Sequence, residues 1–368
     1  MSEKPKERLL SLDTLRGFDM FFIAGGGTFI TLLHGKTRIL WIDAIANQLE
    51  HVPWNGFVFY DFIFPLFLFI TGVSLSFSLS KGISAGIPKK KLYKKVLIRM
   101  VILILLGLLY KNSPFPYFEP SKIRVGSVLG RIGIASFITC LLYLNFSLIK
   151  RVYWIVGILL IYYAALFLVP VPGYGTGDLS FEGNLVGWFD RTFLPGRLYQ
   201  VTYDELGILT TFPAICISIF GSIAGEILRK ESTQNKKTTT LIGIGILCVA
   251  IGLLWNLHFP INKRLWSSSF IVLTSGLSFL ILAMFYWIID VKGYKKWTFF
   301  FRVIGLNSLV IYFAYRFIRF SYTSERLLSG IYAPLPEKWH EVVVALGVLA
   351  LIWLLLYFLY KKRIFVKV

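Results

Sequence analysis

Long apolar stretches separated by shorter polar segments recur along the whole chain. Each stretch is about 20 residues long, which is enough for an α-helix to cross a hydrocarbon layer of about 30 Å. The short alternating segments that a membrane β-barrel needs are not found. The pattern therefore predicts an all-α, polytopic membrane helix bundle of about ten helices, near 9–33, 57–80, 96–112, 126–146, 152–170, 208–228, 239–257, 267–290, 299–320 and 341–360.

Basic residues concentrate in every second connection between these predicted helices. The clusters lie at 81–95, 150–151, 229–237, 292–296 and 361–367, and the other connections carry about half as many basic residues. Because cytosolic loops of membrane proteins are enriched in lysine and arginine, the clusters indicate the cytosolic side. An even number of helices then places both termini in the cytosol. The N-terminal sequence MSEKPKER lacks the small-residue cleavage site of a signal peptide, so we expect an uncleaved first span.

The composition agrees with a membrane protein and limits the classes of partner that we expect it to bind. Hydrophobic residues make up 56% of the chain, above the roughly 45–50% of soluble domains. The net charge of +20 could indicate nucleic-acid binding, but the basic residues lie between spans and form no nucleic-acid motif. We therefore expect membrane lipids as partners and no nucleic acid. All three cysteines fall in apolar stretches, and no histidine, cysteine and carboxylate cluster has metal-ligand spacing, so no metal cofactor is expected.

The connections on the outward side carry most of the proline, tryptophan and acidic residues. The largest, 171–207, contains Asp204 and Glu205 and has the length and composition of a lid over a site. An ordinary connector with aromatic residues at the lipid interface explains the same composition. Because we find no internal repeat, we predict one transmembrane domain over 1–368 with a periplasmic subregion at 171–207. The short loops and the lack of a targeting extension favour a bacterial inner membrane.

All four histidines fall on the predicted outward side, and one of them, His51, has other polar residues close to it in the sequence. Trp54 and Asn55 follow it in a loop, and Asp61 lies ten residues on, inside the second predicted helix. Ionisable side chains in membrane helices usually have a partner or line a pathway. Asp61 could accept the imidazole N–H and orient His51 as a base, or it could pair with a basic residue of another helix. An interfacial position is the favoured interpretation for His34, His258 and His340.

Further polar groups lie within the predicted helices. Asp13, Arg16 and Asp19 share one face of the first helix because they are spaced by three. Arg16 could pair with Asp13 or bind an anion that arrives from the cytosol. The same helix continues into the glycine run 25–27, which would let a neighbouring backbone or a ligand come close. Structural pairing and ligand binding both stay open for the polar groups of the third, fourth and ninth helices, which are Arg99, Arg131 and Asn307.

Several of these segments together resemble one family, the heparan-α-glucosaminide N-acetyltransferases and their bacterial relatives among the transmembrane acyltransferases. The similar segments run in family order from Arg8 to Phe313: RLLSLDTLRGFDM, HVPWNGFVFYDFIFPLFLFITG, RVGSVLGRIG, LYQVTYDELGILTTFPAICISIFGSIAGEIL, PINKRLWSSSF and GLNSLVIYF. The resemblance implies an acetyl-CoA-dependent acyltransferase that acetylates an amino sugar across the membrane, and it suggests a homodimer. It matches the family's active histidine to His51 and its aspartate to Asp61. Ile23 and Ala24 stand where the family has an asparagine ahead of the three glycines.

Under this resemblance the polar residues divide between a donor and an acceptor. The phosphates of cytosolic acetyl-CoA require cations, and we assign these to Arg16, Lys94, Lys95, Arg99 and Arg131. A cationic, ring-shaped amino sugar fits acidic and aromatic residues on the outward side, and we assign its binding to Trp54, Asn55, Asp204, Glu205 and Asn307. His51 would act as a general base or as an acetyl carrier, with Asp61 holding its ring.

Two other functions fit the same residues. His51 and Asp61 could form the proton relay of a transporter for amino sugars or cell-envelope precursors. Alternatively, the acceptor could be a hydroxyl group of an envelope polysaccharide, which would make the protein an O-acetyltransferase. The sequence leaves these alternatives open beside amine acetylation.

Overall fold

The computed structural model of the chain describes residues 9–114 and 119–366. The described residues contain fifteen α-helices and no β-strand, which confirms the all-α prediction. The beginning of the first motif, Arg8, and the last predicted cytosolic lysine, Lys367, lie outside these residues. The helices are α1 Leu10–Ile23, α2 Thr28–Thr31, α3 Leu40–Gln48, α4 Phe59–Ser84, α5 Lys89–Lys111, α6 Val128–Asn145, α7 Leu148–Leu168, α8 Leu185–Phe193, α9 Ile208–Arg229, α10 Gln234–Asn256, α11 Ser268–Tyr286, α12 Thr298–Leu306, α13 Ser308–Phe317, α14 Phe320–Tyr332 and α15 His340–Lys361.

Seven of the helical segments in the described part of the chain are long and apolar enough to cross a membrane. They include α4, α6, α7, α9 and α10, together with the segments Ser268–Val291 and Glu337–Lys361. An eighth span is possible if α12 and α13 count as one, although the pair is bent by 72° at Asn307. By length and composition, the described residues therefore contain seven or eight candidate membrane spans, fewer than the roughly ten that the sequence predicted. The cytosolic position of both termini stays a prediction.

The first predicted span, 9–33, is wrong as a single helix. α1 ends at Ile23, and Gly25 adopts a left-handed conformation with φ of 78°. The amide of Gly26 then donates to the carbonyl of Phe21 at 2.8 Å, and that of Gly25 donates to Phe22 at 3.0 Å. These two bonds form a Schellman cap, which glycine favours because it has no Cβ to oppose positive φ. The glycine run thus ends the helix, and the short α2 follows it.

Several predicted connections are also helical. The lysines at 89–95, expected in a loop, belong to the first turns of α5, since lysine is a good helix former and Pro88 precedes the helix. Within the outward connections 34–56, 171–207 and 321–340, the structure places α3, α8 and α14. α8 and α14 each have one strongly apolar face, so tertiary packing stabilises helices too short to be found as spans.

The described residues form two compact units, and each is considered by itself. The first contains 9–52, 58–64 and 281–366. In it α1 packs along α12, and α14 packs along α15. Gly17 and Gly305 allow the first pair to approach closely, because a Cβ atom built on Gly17 would lie 1.7 Å from the carbonyl oxygen of Phe301. Phenylalanine rings at 18, 22, 285 and 301 fill the remaining space of this unit with edge-to-face contacts.

The second unit contains 53–57, 65–114 and 119–280. Its most buried helices are α4 and α9, which meet where Gly72 faces the backbone of Ser218 and Gly221 faces the backbone of Phe69. Such small residues let membrane helices pack closely. α6 packs against both α5 and α9, and α7 lies against α9. Tyr162, Val186 and Phe259 belong to one buried hydrophobic cluster of this unit.

Candidate functional site

The N-terminus of α4 holds the carboxylate that the sequence singles out. Asp61 is the third residue of α4, and its Oδ2 atom accepts the backbone N–H of Val58 at 3.4 Å. This contact caps the helix, because the first amides of a helix have no intrahelical partner. The next amide, that of Phe59, donates to Oε1 of Gln48 at 3.1 Å. The positive end of the helix also favours a negative charge at this position.

The other carboxylate oxygen of Asp61 contacts His51. Oδ1 of Asp61 lies 2.7 Å from Nδ1 of His51, and the carboxyl side chain is 0% exposed while the imidazole is 37% exposed. Since a carboxylate only accepts hydrogen bonds, Nδ1 carries the proton and Nε2 is the basic nitrogen of the neutral ring. The ring of Tyr60 lies 4.8 Å from the imidazole, measured between centroids. The pair therefore has the geometry of an oriented histidine base.

Trp54 and Asn55 each form a hydrogen bond to a distant segment of the second unit. The indole Nε1 of Trp54 donates to the carbonyl of Leu179 at 3.0 Å, and its ring contacts Phe181. Oδ1 of Asn55 accepts from Nδ2 of Asn262 at 3.0 Å. In the same unit the amide of Gly56 donates to Ile261 at 2.9 Å. These bonds tie residues 54–56 to the connections 171–207 and 258–266, and a role of Trp54 and Asn55 in acceptor binding stays a prediction.

Asp204 and Glu205, the acidic residues assigned to the acceptor, both form ion pairs. Asp204 is fully buried and receives Nε and Nη2 of Arg124 on its two oxygens, each at 2.7 Å. Its oxygens also accept the amides of Tyr199 and Leu206. Glu205 pairs with Nη1 of Arg264 at 2.9 Å. The structure thus uses Asp204 to hold the connection 171–207 together, and acceptor binding at either residue stays a prediction.

A second buried carboxylate adjoins this ion pair. Oδ2 of Asp190, in α8, accepts the amide of Asp204 at 3.1 Å, and its carboxyl group lies against Gly207 at the N-terminus of α9. Burial is the largest cause that raises the pKa of Asp190 to about 7; the hydrogen bond from the Asp204 amide opposes the shift, and the charge of Asp204 adds to it. Asp190 therefore titrates near neutral pH.

The basic residues assigned to the donor differ in position. Lys94 and Lys95 are exposed near the N-terminus of α5, whereas Arg99 is half-buried one turn further along. Arg131 is buried, stacks on Trp266 with its guanidinium 4.6 Å from the ring centroid, and donates to Thr210 at 2.5 Å. These contacts place Arg131 against the start of α9 and favour a structural role.

In the first unit, Arg16 and Asn307 each contact a structural partner. Nη1 of Arg16 lies 3.6 Å from Oδ1 of Asp13, which is the intrahelical pair that the spacing allows. Asn307 is fully buried, donates to the carbonyl of Ile364 and accepts from the amide of Val366, both at 3.1 Å. Its amide group therefore fixes the backbone after α15, and acceptor binding at Asn307 stays a prediction.

Sequence reasoning missed two residues that organise the second unit. Arg124 and Asn262 are buried, and each connects segments that are far apart in the chain. Both belong to quoted motifs, RVGSVLGRIG and PINKRLWSSSF, and membership of these motifs was the only available signal. Residues of His, Cys, Asp or Glu that could hold a metal ion do not cluster anywhere in 9–114 or 119–366.

Comparison with known proteins gives consistent matches. A family model described as "Heparan-alpha-glucosaminide N-acetyltransferase, catalytic" matches residues 8–260. The heparan-alpha-glucosaminide N-acetyltransferases of Homo sapiens and Mus musculus are each 29% identical to this chain over 421 residues. These alignments cover 98% of the chain and 60% of each relative. The chain therefore spans about three fifths of the length of these curated relatives.

Proposed function

The chain belongs to the heparan-alpha-glucosaminide N-acetyltransferase catalytic family, and from this premise we propose that it is a transmembrane acetyltransferase. It transfers the acetyl group of cytosolic acetyl-CoA to the amine of a glucosamine-type sugar on the periplasmic side. We place it in a bacterial inner membrane, as a homodimer. Membrane-spanning helices and the family match support the general activity, and the site supports the reaction type.

The observation that carries the proposal is the contact between His51 and Asp61. Asp61 holds the proton on Nδ1, so Nε2 accepts the proton that the sugar amine loses as its nitrogen attacks the thioester carbonyl. A C–N bond forms and the C–S bond breaks. The imidazolium then returns the proton to the departing CoA thiolate. During the step the buried carboxylate of Asp61 stabilises the positive ring, because the two groups are 2.7 Å apart.

A second route uses the same nitrogen as a nucleophile. Nε2 attacks the thioester, CoA leaves as the thiol, and an acetyl-imidazole passes its acetyl group to the amine. The two routes differ in what happens without an acceptor. The carrier route releases one CoA per site in a rapid burst, whereas direct transfer releases none until the sugar is added.

Donor and acceptor enter from opposite sides in this proposal. The exposed lysines of α5, Lys94 and Lys95, meet the phosphates of CoA, and Arg99 of the same helix supplies further positive charge. The sugar reaches His51 from the side of the loop that precedes α4. Purified protein in sealed vesicles, with labelled acetyl-CoA outside and glucosamine inside, tests this arrangement.

The decisive variant is His51→Ala, with His34→Ala as the matched control because His34 is exposed and outside the site. We expect His51→Ala to lose acetyl transfer by roughly 10²- to 10⁴-fold while remaining folded. His34→Ala should retain the wild-type rate. A folded His51→Ala protein that acetylates glucosamine at the wild-type rate would exclude this mechanism. Substrate flux without any acetyl donor would instead support a transporter.

A further inference from the structure

A cavity of about 450 Å³ lies within the first unit, at the end of α1. It is lined by the glycine run after α1 and by residues of α13, α14 and α15, among them Gly25, Tyr315, Glu325, Tyr332, His340 and Glu341. Its volume falls in the range of about 300–1,000 Å³ that is typical of small-molecule sites. Space for a monosaccharide or a disaccharide is therefore available in this unit.

The charge of the cavity is opposite to that of the protein. The chain has 39 basic and 19 acidic residues, yet the described residues that line the cavity include two glutamates and no lysine or arginine. Glu325 has no ion-pair partner among the described residues, and Glu341 lies 3.5 Å from Nζ of Lys36. The Glu341 side chain is 72% exposed, and Lys36 offsets its charge, so the two carboxylates and this lysine together carry a net charge of −1. This net charge attracts a cation and disfavours an anion.

The remaining polar lining suits a hydroxylated ring. Tyr315 and Tyr332 offer phenol groups and aromatic faces. Nε2 of His340 lies 2.8 Å from the carbonyl of Leu335, so Nε2 carries the proton and Nδ1 is the accepting nitrogen of the neutral ring. The imidazole of His340 packs on Tyr332, with centroids 5.0 Å apart. Carboxylates, hydroxyls and stacked rings are the groups that bind an aminated sugar.

The His51 pair belongs to the same compact unit as the cavity. Tyr60 packs on the imidazole of His51 with centroids 4.8 Å apart, and Tyr60 belongs to this unit too. Tyr315 lines the cavity, and its hydroxyl lies 3.2 Å from the point where a Cβ atom of Gly25 would stand. The glycine at 25 therefore keeps this wall open.

We propose that this cavity binds the sugar acceptor and that Glu325 and Glu341 select its ammonium group. The ammonium releases one proton to water, and the free amine then attacks the thioester with His51 as the base. The proposal rests on the acetyl transfer proposed above and adds the acceptor site. It makes Glu325 and Glu341 specificity-determining residues. It also assigns a function to the predicted connection 321–340, and it replaces Asp204, Glu205 and Asn307 as the acceptor contacts.

Binding and kinetics together test the proposal. Glu325→Gln and Glu341→Gln are compared with Glu337→Gln, a matched change on the same segment that does not line the cavity. Loss of one charged hydrogen bond should raise the KM for glucosamine roughly 10- to 100-fold. The KM for acetyl-CoA should stay unchanged, and Glu337→Gln should behave like the wild type. Calorimetry with glucosamine and with neutral N-acetylglucosamine measures binding without the reaction, and both cavity variants should lose the preference for glucosamine.

The two proposals fail in different ways. In the first case the wild type acetylates glucosamine, but the cavity variants keep the wild-type KM for the sugar and the wild-type binding preference. This result overturns the proposed acceptor site and leaves the proposed acetyl transfer intact. In the second case the wild type does not transfer acetyl groups, and the proposed function is overturned. Calorimetry alone then tests whether the cavity binds an amino sugar. If the wild type binds glucosamine and both variants lose this binding, the cavity is an amino-sugar site. If the wild type does not bind glucosamine, the proposal of an acceptor site is wrong.

Discussion

Nδ1 of His51 lies 2.7 Å from Oδ1 of Asp61, across a separation of ten residues. The loop folds back over the first turn of α4, so the carboxylate contacts both the helix amide of Val58 and the imidazole. A single buried side chain therefore fixes the tautomer of the histidine and the start of the helix. The two roles can be separated, because an asparagine caps a helix but cannot balance the charge of an imidazolium.

Replacing Asp61 with asparagine should reduce turnover without removing the fold. We expect kcat to fall on the order of 10²- to 10⁴-fold, because the amide can favour the wrong tautomer and cannot stabilise the protonated ring. The KM for each substrate should change little. Steady-state kinetics measure this split, and thermal unfolding of the variant tests whether the cap survives. Glu50→Gln is the matched control beside His51, and an equal loss of kcat in that variant would contradict the specific role of Asp61.

Replacing Arg124 with alanine should destabilise the second unit strongly. The change leaves the fully buried carboxylate of Asp204 without its partner, which costs about 3–5 kcal/mol. Lys122→Ala provides the comparison two residues away, because Lys122 pairs with Glu119 on the surface and such pairs contribute about 0–1 kcal/mol. Melting temperatures in detergent measure both variants. Equal shifts would show that burial does not determine the strength of the Arg124–Asp204 pair.

The all-α fold could be predicted from hydropathy. Exposing unpaired backbone amides to lipid is costly, so a chain with long apolar stretches crosses the membrane as helices. The family segments were also identifiable from the sequence, and the match over residues 8–260 confirms the resemblance. The end of α1 could not be placed, since the glycine run permits either close packing or a helix cap. Only the bonds from Gly25 and Gly26 distinguish the two.

The organisation of the candidate sites depends on contacts between distant residues. Short separations along the chain suggested both pairs: Asp61 lies ten residues after His51, across a loop, and Arg16 lies three residues after Asp13 on one helix. Arg124 and Asp204 are 80 residues apart, and no periodicity along the chain relates them. The cavity near Glu325 was missed for a similar reason. Its lining comes from four helices and a turn, and 321–340 was interpreted as a connection although it contains most of α14.

Replacing Gly17 with alanine should disrupt the packing of α1 on α12. A methyl group at Gly17 would lie 1.7 Å from the carbonyl oxygen of Phe301, so a helix backbone must move. We expect a loss of roughly 1–3 kcal/mol or more, as for other overpacked sites. Gly157→Ala in α7 is the control, because no atom lies within 4 Å of its Cβ position, and its effect should stay within about 1 kcal/mol. Thermal unfolding of both variants measures the difference, and a neutral Gly17→Ala would contradict the close approach.

The stability of the second unit should depend on pH through Asp190. The folded protein raises the pKa of this carboxyl group from 3.8 to about 7, mainly because the group is buried. Between these values the folded state holds a proton that the unfolded state has released, so stability falls as pH rises from about 4 through about 7. Asp190→Asn imitates the protonated form and should flatten this slope, with a higher melting temperature than the wild type at pH 8 and little difference at pH 4. Melting temperatures of both proteins at several pH values provide the comparison, because effects of all other groups cancel in the difference. The opposite slope, with the wild type more stable than Asp190→Asn at pH 8, would show that Asp190 is stabilised as an anion, by Arg131 and the N-terminus of α9.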